Sequence, residues 1–329
     1  MINDELTENG ELRKSNLESV VEKLIVRMVD GNNAINNREL INLCQNFVKT
    51  LTTIDPHIYH EIAETALNLL IKRQYARSAE AENEPQKLAA EILKPLAARL
   101  PTQTWRSREQ TIRQQFSTPP PIAFLLSYLV NNRDSEILLE PSAGTGSLIV
   151  WSRNQIFANE IDSRRREMLR ILGVSATAFN AEFIDDYLEP EIRPDCLLMN
   201  PPFSANGGRT ALNSSRYGFR HVESALQRLK KGGRFGIILG EAAELKTKTG
   251  NEFWCKMARR IEVKTIIKID GREYYKNGTS VDVNIIAGTK RREEKAVDWA
   301  SERERIISVT ANSVEEAFGF AQKLNLRLE

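Results

Sequence analysis

The chain of 329 residues contains 41% hydrophobic and 27% charged residues and carries a formal net charge of +2. This composition is ordinary for a globular protein with a substantial core, and the small net charge neither requires nor excludes nucleic acid. An acidic N-terminus and the absence of any run of about 18 apolar residues argue against a signal peptide and a membrane span, so we expect a cytoplasmic protein.

Residues 1–104 are predicted to form a helical N-terminal domain. Ser15 and Glu18 make a capping box that opens a helix with one apolar stripe. Asp55-Pro56 opens a long helix, and the helical period returns over residues 86–99. This domain is expected either to support the rest of the chain by packing or to serve dimerisation, DNA contact or docking of a partner.

No metal site is predicted. The three cysteines, Cys44, Cys196 and Cys255, lie far apart without a Cys-x-x-Cys pair, which argues against both a zinc site and a disulfide framework. His57 and His60 share a helix face but have no evident metal partners, so we interpret them as structural.

Strand-like and helical runs alternate from residue 120 onward. This alternation predicts an α/β, Rossmann-like fold with a mostly parallel sheet, helices on both faces and a cofactor at the carboxyl ends of the strands. The last two runs, separated by Gly271–Gly278, are expected to form an antiparallel hairpin. The strand-like runs lie near residues 136–140, 155–160, 195–199, 234–240, 263–269 and 281–288.

A glycine turn follows the first strand. The sequence over residues 137–148 is Ile-Leu-Leu-Glu-Pro-Ser-Ala-Gly-Thr-Gly-Ser-Leu, in which an apolar strand leads into small residues and then into a helical pattern. Glycines allow positive φ and close approach of the backbone to a ligand, while a helix start offers free N–H groups. The spacing matches neither a dinucleotide fingerprint nor a phosphate loop, which disfavours a nicotinamide or a nucleoside triphosphate. The alternative interpretation is an ordinary loop.

An acidic residue ends the second strand. The apolar run Ile156-Phe157-Ala158 leads to Asn159-Glu160-Ile161-Asp162, about 20 residues after the glycine turn. An acid at this place can accept hydrogen bonds from ribose hydroxyls. Glu160 is the candidate, because Asp162 is predicted to cap the following helix. Residues 164–166, all arginine, are interpreted as surface residues of that helix.

The strand-like run near residues 195–199 leads into Asn200-Pro201-Pro202-Phe203. Two prolines hold the backbone open with carbonyls that no ladder hydrogen bond uses. The Asn200 side-chain oxygen and the Pro201 carbonyl could converge on one NH2 group and draw its lone pair out of conjugation, which makes the amine nucleophilic. Phe203 would offer a face on which a ring stacks. A turn or linker is the alternative interpretation.

With these motifs in this order, the chain resembles the S-adenosylmethionine-dependent amino-methyltransferases of the DNA adenine type whose cofactor motifs precede Asn-Pro-Pro-Phe. The resemblance runs from about residue 105 to 290 and includes Gln115-Phe116-Ser117-Thr118-Pro119-Pro120. It implies a class I methyltransferase domain over 105–292, followed by a C-terminal strand and helix extension over 293–329. Within the family, the chain is most similar to methyltransferase domains associated with strawberry-notch-type helicases.

The resemblance implies roles for particular residues. S-adenosylmethionine is the expected cofactor, and Asn200, Pro201, Pro202 and Phe203 are expected to hold a flipped adenine by its amine. The residues expected to bind the cofactor are Phe116, Thr118, Pro119, Glu140, Pro141, Ser142, Ala143, Gly144, Thr145, Gly146, Glu160, Ile161, Asn180, Ala181 and Asn200.

One departure from the family lies in the stretch Phe179-Asn180-Ala181-Glu182-Phe183. The family usually presents an acid to the amino group of the cofactor's adenine, whereas this chain has Asn180 there. The Asn180 amide oxygen can accept a hydrogen bond but carries no charge. Either the cofactor affinity is modest, or Glu182 or Asp185 substitutes.

DNA is the expected partner, although the substrate class stays open. A guanine amine in RNA or a glutamine in protein is also a planar NH2 group, and a cofactor-binding subunit active only with a partner is a third reading. Candidate protein partners are a helicase, another mobile-element or defence protein, or a second copy of the chain. The loop over 204–220 either orders over the substrate or is plain surface. Basic clusters suited to phosphate, if they share a face, are Arg106, Arg108 and Arg113, then Lys230, Lys231 and Arg234, then residues 290–292.

Overall fold

The computed structural model describes residues 16–31, 33–49, 55–103, 116–152, 155–202 and 217–329. Several predictions fall outside these ranges. They concern Ser15, Phe203, the arginines at 106, 108 and 113, Gln115, and most of the loop over 204–220.

The N-terminal segment is helical, as predicted. The apolar stripe of its first helix is buried, and its long helix begins just after Asp55, whose carboxylate accepts the His57 N–H at 3.0 Å. The helices are α1 (Asn16–Asp30), α2 (Asn37–Val48), α3 (Ile58–Gln74), α4 (Ala79–Asn83), α5 (Pro85–Lys87) and α6 (Lys94–Ala98), with a π-helical turn at Leu88–Leu93.

The rest of the chain forms one sheet of eight strands in the order β3-β2-β1-β4-β5-β7-β6-β8. Strands β1 to β5 pair in parallel, and β7 lies antiparallel between β5 and β6, which confirms the predicted hairpin. Strand β8 adds a parallel edge beside β6. The strands are β1 (Ile137–Glu140), β2 (Gln155–Asn159), β3 (Ala176–Thr177), β4 (Cys196–Met199), β5 (Arg234–Gly240), β6 (Ile261–Ile269), β7 (Val283–Lys290) and β8 (Ile307–Ala311).

Helices cover both faces of this sheet, as the alternating pattern predicts. They are α7 (Pro120–Val130), α8 (Ser163–Ile171), α9 (Ile184–Tyr187), α10 (Tyr217–Arg228), α11 (Lys248–Met257), α12 (Trp299–Glu304) and α13 (Val314–Lys323). One apolar core joins α1–α3, α7 and α13 to one face of the sheet, and a second core lies between the other face and α10 and α11. The N-terminal helices therefore share a core with the sheet, which places α3 beside the strand ends.

No helix among the described residues is long and apolar enough to cross a membrane.

Candidate cofactor and amine-binding site

One pocket lies at the carboxyl ends of β1, β2 and β4. Because these strands are parallel neighbours, the glycine turn, Glu160 and Asn200 meet at the same edge of the sheet. The segment that precedes α7 closes one side of the pocket. The residues that line it are Phe116, Ser117, Thr118, Ser142, Ala143, Gly144, Thr145, Ser147, Leu148, Glu160, Arg165, Asn200 and Pro202.

The two glycines of the turn have different roles. Gly144 has φ +55°, and a Cβ added there would meet nothing within 4 Å, so open space lies directly above its backbone. Gly146 has φ +93°, and a Cβ there would come within 2.4 Å of a Leu172 methyl group. Gly144 therefore leaves room for a ligand, whereas Gly146 permits close packing against the core.

Glu160 connects the turn to the second strand. Its Oε2 accepts the Gly144 N–H at 2.8 Å, and its Oε1 accepts the Asp162 N–H at 2.9 Å. Asp162 accepts the Arg164 N–H at 2.8 Å and caps α8, which confirms the predicted capping role of Asp162. Glu160 lines the pocket and keeps lone pairs for further hydrogen bonds.

Glu140, at the end of β1, is fully buried. Its Oε1 accepts the Ser142 N–H at 3.0 Å, while its Oε2 has no hydrogen-bond partner among the described residues. Burial raises the pKa of Glu140 well above its ordinary value; the Ser142 hydrogen bond opposes this shift, and the charge of Glu160 adds to it. A buried carboxyl oxygen without a partner fits a cationic group such as an ammonium.

The amide of Asn200 is held in one orientation. Its Nδ2 donates to the Thr118 hydroxyl at 2.9 Å and to the Phe116 carbonyl at 3.1 Å. A carbonyl only accepts, so the reversed amide would set two oxygens against each other. The Asn200 Oδ1 is therefore left to accept a hydrogen bond from a ligand, beside the buried Pro201 and Pro202.

The segment after β3 does not line this pocket. Asn180 caps a short 3-10 turn by accepting the Glu182 N–H at 3.1 Å. Glu182 forms an ion pair with Arg220 at 2.8 Å, and Asp185 accepts the Ser224 hydroxyl at 2.5 Å. Glu182 and Asp185 are the two acids that could replace the adenine-binding acid of the family. Each of them is thus paired with a residue of α10. Several other residues of the predicted site also lie outside the pocket lining, namely Pro119, Glu140, Pro141, Gly146, Ile161, Ala181 and Pro201.

The prediction that all three arginines of α8 are surface residues is wrong for Arg165. Its side chain is only 12% exposed, and its Nε donates to Glu61 of α3 at 2.9 Å. Arg165 is buried because α3 packs on α8 and supplies a buried carboxylate as its partner. Arg165 thereby becomes part of the pocket wall.

Sequence reasoning also missed the contribution of α3 to the site. Glu61, Glu64 and Asn68 recur every three or four residues in a helix whose other residues from Ile62 to Ile71 are apolar except Thr65, which is the sequence signal that could have revealed them. All three are buried and face the turn and α8 through hydrogen bonds.

The described basic clusters do not form a phosphate-binding face at the site. Arg234 begins β5, at the opposite end of the sheet from Asn200, and is buried beside Glu136. Lys290 donates to three carbonyls at the end of α10, at 2.8 to 2.9 Å. Within the described ranges, no group of three or more His, Cys, Asp or Glu side chains could hold a metal ion.

The fold is that of the class I S-adenosylmethionine-dependent methyltransferases. It matches a protein from Listeria monocytogenes assigned to that class, with a TM-score of 0.53 over 95% of this chain and 98% of that chain at 11% identity. It also matches a chain from a structure that addresses the assembly and conformational transition of the type I restriction-modification system, with a TM-score of 0.51 over 95% of this chain and 79% of that chain at 14% identity.

In sequence, the chain is 23% identical over 211 residues to the type II restriction enzyme and methyltransferase RM.BcgI of Heyndrickxia coagulans. This match covers 56% of the chain and 33% of that protein, so the chain spans about a third of the length of its curated relative. No family model matches the chain.

Proposed function

We propose that this chain binds S-adenosylmethionine in the pocket and transfers its methyl group to the exocyclic amine of adenine in DNA. The observation that carries the proposal is the fixed amide of Asn200, whose oxygen is left to accept from an amine directly beside the glycine turn.

Residues in the pocket lining and directly next to it fit the cofactor. Glu140 lies outside the lining, but its Oε1 accepts from the lining residue Ser142, and its unpartnered Oε2 suits the ammonium of the methionine part. Glu160 can accept from the ribose hydroxyls. The open space above Gly144 lets the cofactor lie against the backbone. When bound, S-adenosylmethionine supplies a methyl group on a positively charged sulfur, which an amine can take up directly.

Asn200 and Pro201 then activate the amine. The Asn200 Oδ1 and the Pro201 carbonyl would accept its two hydrogens and draw the nitrogen lone pair out of conjugation with the ring. No side chain is assigned as a base, because the amine can lose its proton to water after the transfer. Phe203 would stack on the extracted base, which helps to offset the few kcal/mol that base flipping costs.

DNA is proposed as the substrate because of the restriction-modification relatives. RM.BcgI is named as both a restriction enzyme and a methyltransferase, and this chain spans about a third of it. Because the chain spans only about a third of RM.BcgI, a second reading is also favoured. In that reading the chain is a subunit that binds the cofactor but needs a partner for methyl transfer. A partner from a restriction-modification system is proposed on the same ground, whereas a helicase partner and a homodimer stay predictions from the sequence.

The test is incubation of the purified chain with tritiated S-adenosylmethionine and separate pools of DNA, RNA and protein. We expect label in DNA, recovered as N6-methyladenine after digestion. Asn200→Ala should lower the transfer rate several-hundredfold, because one lost hydrogen bond in a preorganised site costs about 3–4 kcal/mol of barrier. The control is Asn83→Ala, which changes an exposed asparagine outside the pocket lining. Label in RNA or protein would move the proposal to guanine or glutamine, and cofactor binding without transfer would favour the partner-dependent reading.

A further inference from the structure

Residues 60–71 of helix α3 are all buried, yet they include a stripe of polar side chains. Ile62, Ala66 and Ile71 have no exposed surface, and neither does Glu61. Burying a polar side chain costs free energy unless hydrogen bonds satisfy it, and apolar residues would serve simple packing better. The polar side chains of this stripe are therefore expected to hold other parts of the structure through hydrogen bonds.

Glu64 is the centre of this stripe. Its Oε2 accepts the Ser117 hydroxyl at 2.7 Å and the Thr145 hydroxyl at 3.0 Å. Its Oε1 accepts from the side-chain amides of Gln103 and Asn277, the latter at 3.5 Å. One carboxylate thus joins segments that are distant in sequence. Among them are the glycine turn and residues 116–119, the covering segment, which precedes α7 and closes one side of the pocket.

Asn68, one turn further along α3, holds the same part of the turn. Its Nδ2 donates to the Thr145 carbonyl at 2.9 Å. Thr145 is thus fixed through its hydroxyl and its main chain, and Gly144 next to it is fixed by Glu160. The turn is held from the α3 side and from the β2 side at once.

We propose that Glu64 is a positioning residue for the cofactor pocket, which holds the turn at Thr145 and the covering segment at Ser117 in the arrangement that binds ligand. The identity of that ligand rests on the proposed function. The N-terminal helices are then part of the binding machinery, because α3 supplies the side chain on which two walls of the pocket converge.

Two substitutions of Glu64 can separate the effect of its hydrogen bonds from the effect of its charge. Burial raises the pKa of Glu64, while the Ser117 and Thr145 hydroxyls act in the opposite direction. Glu64→Gln keeps a carbonyl oxygen that can accept both hydroxyls, and Gln103 and Asn277 can turn their own amides to match the new NH2 group. Glu64→Ala removes every acceptor.

The experiment measures the dissociation constant for S-adenosylmethionine by calorimetry on the full chain, together with the transfer rate at saturating cofactor. Glu64→Ala should weaken cofactor binding by about tenfold to a hundredfold, as expected for lost hydrogen bonds to a charged group, and leave the saturated rate within about threefold of the parent. Glu64→Gln should stay within about threefold in both quantities. Glu91→Gln makes the same chemical change at an exposed site of the N-terminal segment and should change neither.

A second readout does not depend on any ligand. Amide hydrogen exchange of the cofactor-free chain should accelerate over residues 140–148 in Glu64→Ala and stay at the parent rate in β5 and β7. If the parent fails to bind S-adenosylmethionine, the proposed function fails, while the exchange comparison still decides the role of Glu64.

Thr145→Val approaches the same contact from the other side and covers the case in which Glu64→Ala does not fold. Thr145→Val alone should also weaken cofactor binding. In the double variant with Glu64→Ala, the dissociation constant should rise by less than about threefold over that of Glu64→Ala alone, because both substitutions remove the same interaction. Unchanged binding in a folded Glu64→Ala, additive effects of the two substitutions, or faster exchange throughout the chain would each overturn the inference.

Discussion

The Asn200 side-chain amide donates to the Thr118 hydroxyl at 2.9 Å, although the two residues lie 82 positions apart in the chain. This bond joins the end of β4 to the segment before α7. It also fixes the direction of the amide oxygen, on which the proposed chemistry depends.

Thr118→Val should therefore slow methyl transfer. It keeps the shape of the side chain but removes the hydroxyl acceptor, so the Asn200 amide loses one of its two anchors. A lost neutral hydrogen bond of about 0.5–1.5 kcal/mol corresponds to a rate about twofold to tenfold lower at saturating cofactor. Thr118→Ser, which keeps the hydroxyl, is the matched control. Single-turnover rates would contradict the role of Thr118 if both variants were equally slow.

Glu160→Ala should act on cofactor binding and leave the rate at saturation nearly unchanged. The substitution removes the proposed ribose acceptor and leaves the Gly144 and Asp162 N–H groups without their carboxylate partner. We expect the cofactor to bind more weakly by about 1–3 kcal/mol, measured by calorimetry. Glu293→Ala, at an exposed position, is the control. An unchanged dissociation constant would mean that the ribose is held elsewhere.

Glu140 should make the stability of the cofactor-free chain depend on pH. The pKa of its carboxyl is raised above the ordinary 4.5, so the folded chain keeps a proton that the unfolded chain loses. Stability should therefore fall as the pH rises from about 4.5 towards the folded pKa. Glu140→Gln should remove this pH dependence. At pH values above the folded pKa, it should raise the free energy of unfolding by about 1–3 kcal/mol relative to the parent. Urea denaturation measures the difference, with Glu91→Gln as the control. Equal pH profiles of parent and Glu140→Gln would argue against the buried, unpaired carboxyl.

Cofactor binding should reverse the same shift. An ammonium placed beside Glu140 favours the charged form, lowers its pKa and releases a proton. The binding heat of the parent should then depend on the ionisation enthalpy of the buffer, whereas that of Glu140→Gln should not. Buffer-independent heats in the parent would remove Glu140 from the cofactor site.

The sequence allowed the sheet, the turn and the strand-end residues to be predicted because these depend on local pattern. Apolar runs mark the strands, and parallel strands bring their carboxyl ends together wherever the intervening helices lie. Asp162 could be distinguished from Glu160 because a capping residue follows local rules. These features require no knowledge of which distant segments touch.

Arg165 and Glu64 could not be placed in this way. A run of three arginines on an amphipathic helix is normally solvated, and Arg165 is buried only because Glu61, 104 residues earlier, meets it. Glu64 similarly meets Thr145 across 81 residues. Such contacts depend on how α3 docks on the sheet, which periodicity alone does not specify.

Arg165→Ala should accordingly destabilise the fold. Burial acts to raise the pKa of Glu61, but Arg165 and His57 outweigh it and lower that pKa to about 2. Removing Arg165 leaves a buried carboxylate without its main counter-charge, which typically costs about 3–5 kcal/mol. Urea denaturation would measure the loss, and adding Glu61→Ala should recover part of it. A loss no larger than that of Arg170→Ala, on the exposed face of α8, would contradict the assignment.

The chain alone should methylate DNA with a short or relaxed sequence preference. About 55 residues separate the glycine turn from Asn200, which leaves little room between these two motifs for a domain that reads a long site. Binding should then depend mainly on phosphates, so affinity should fall steeply with salt and vary little with sequence. Sequencing of methylated plasmid from cells that express only this chain is the direct measurement, with Asn200→Ala as the inactive control. Methylation confined to one motif of six or more base pairs would contradict the prediction and would direct the search for a reader to residues 1–100 or 204–220.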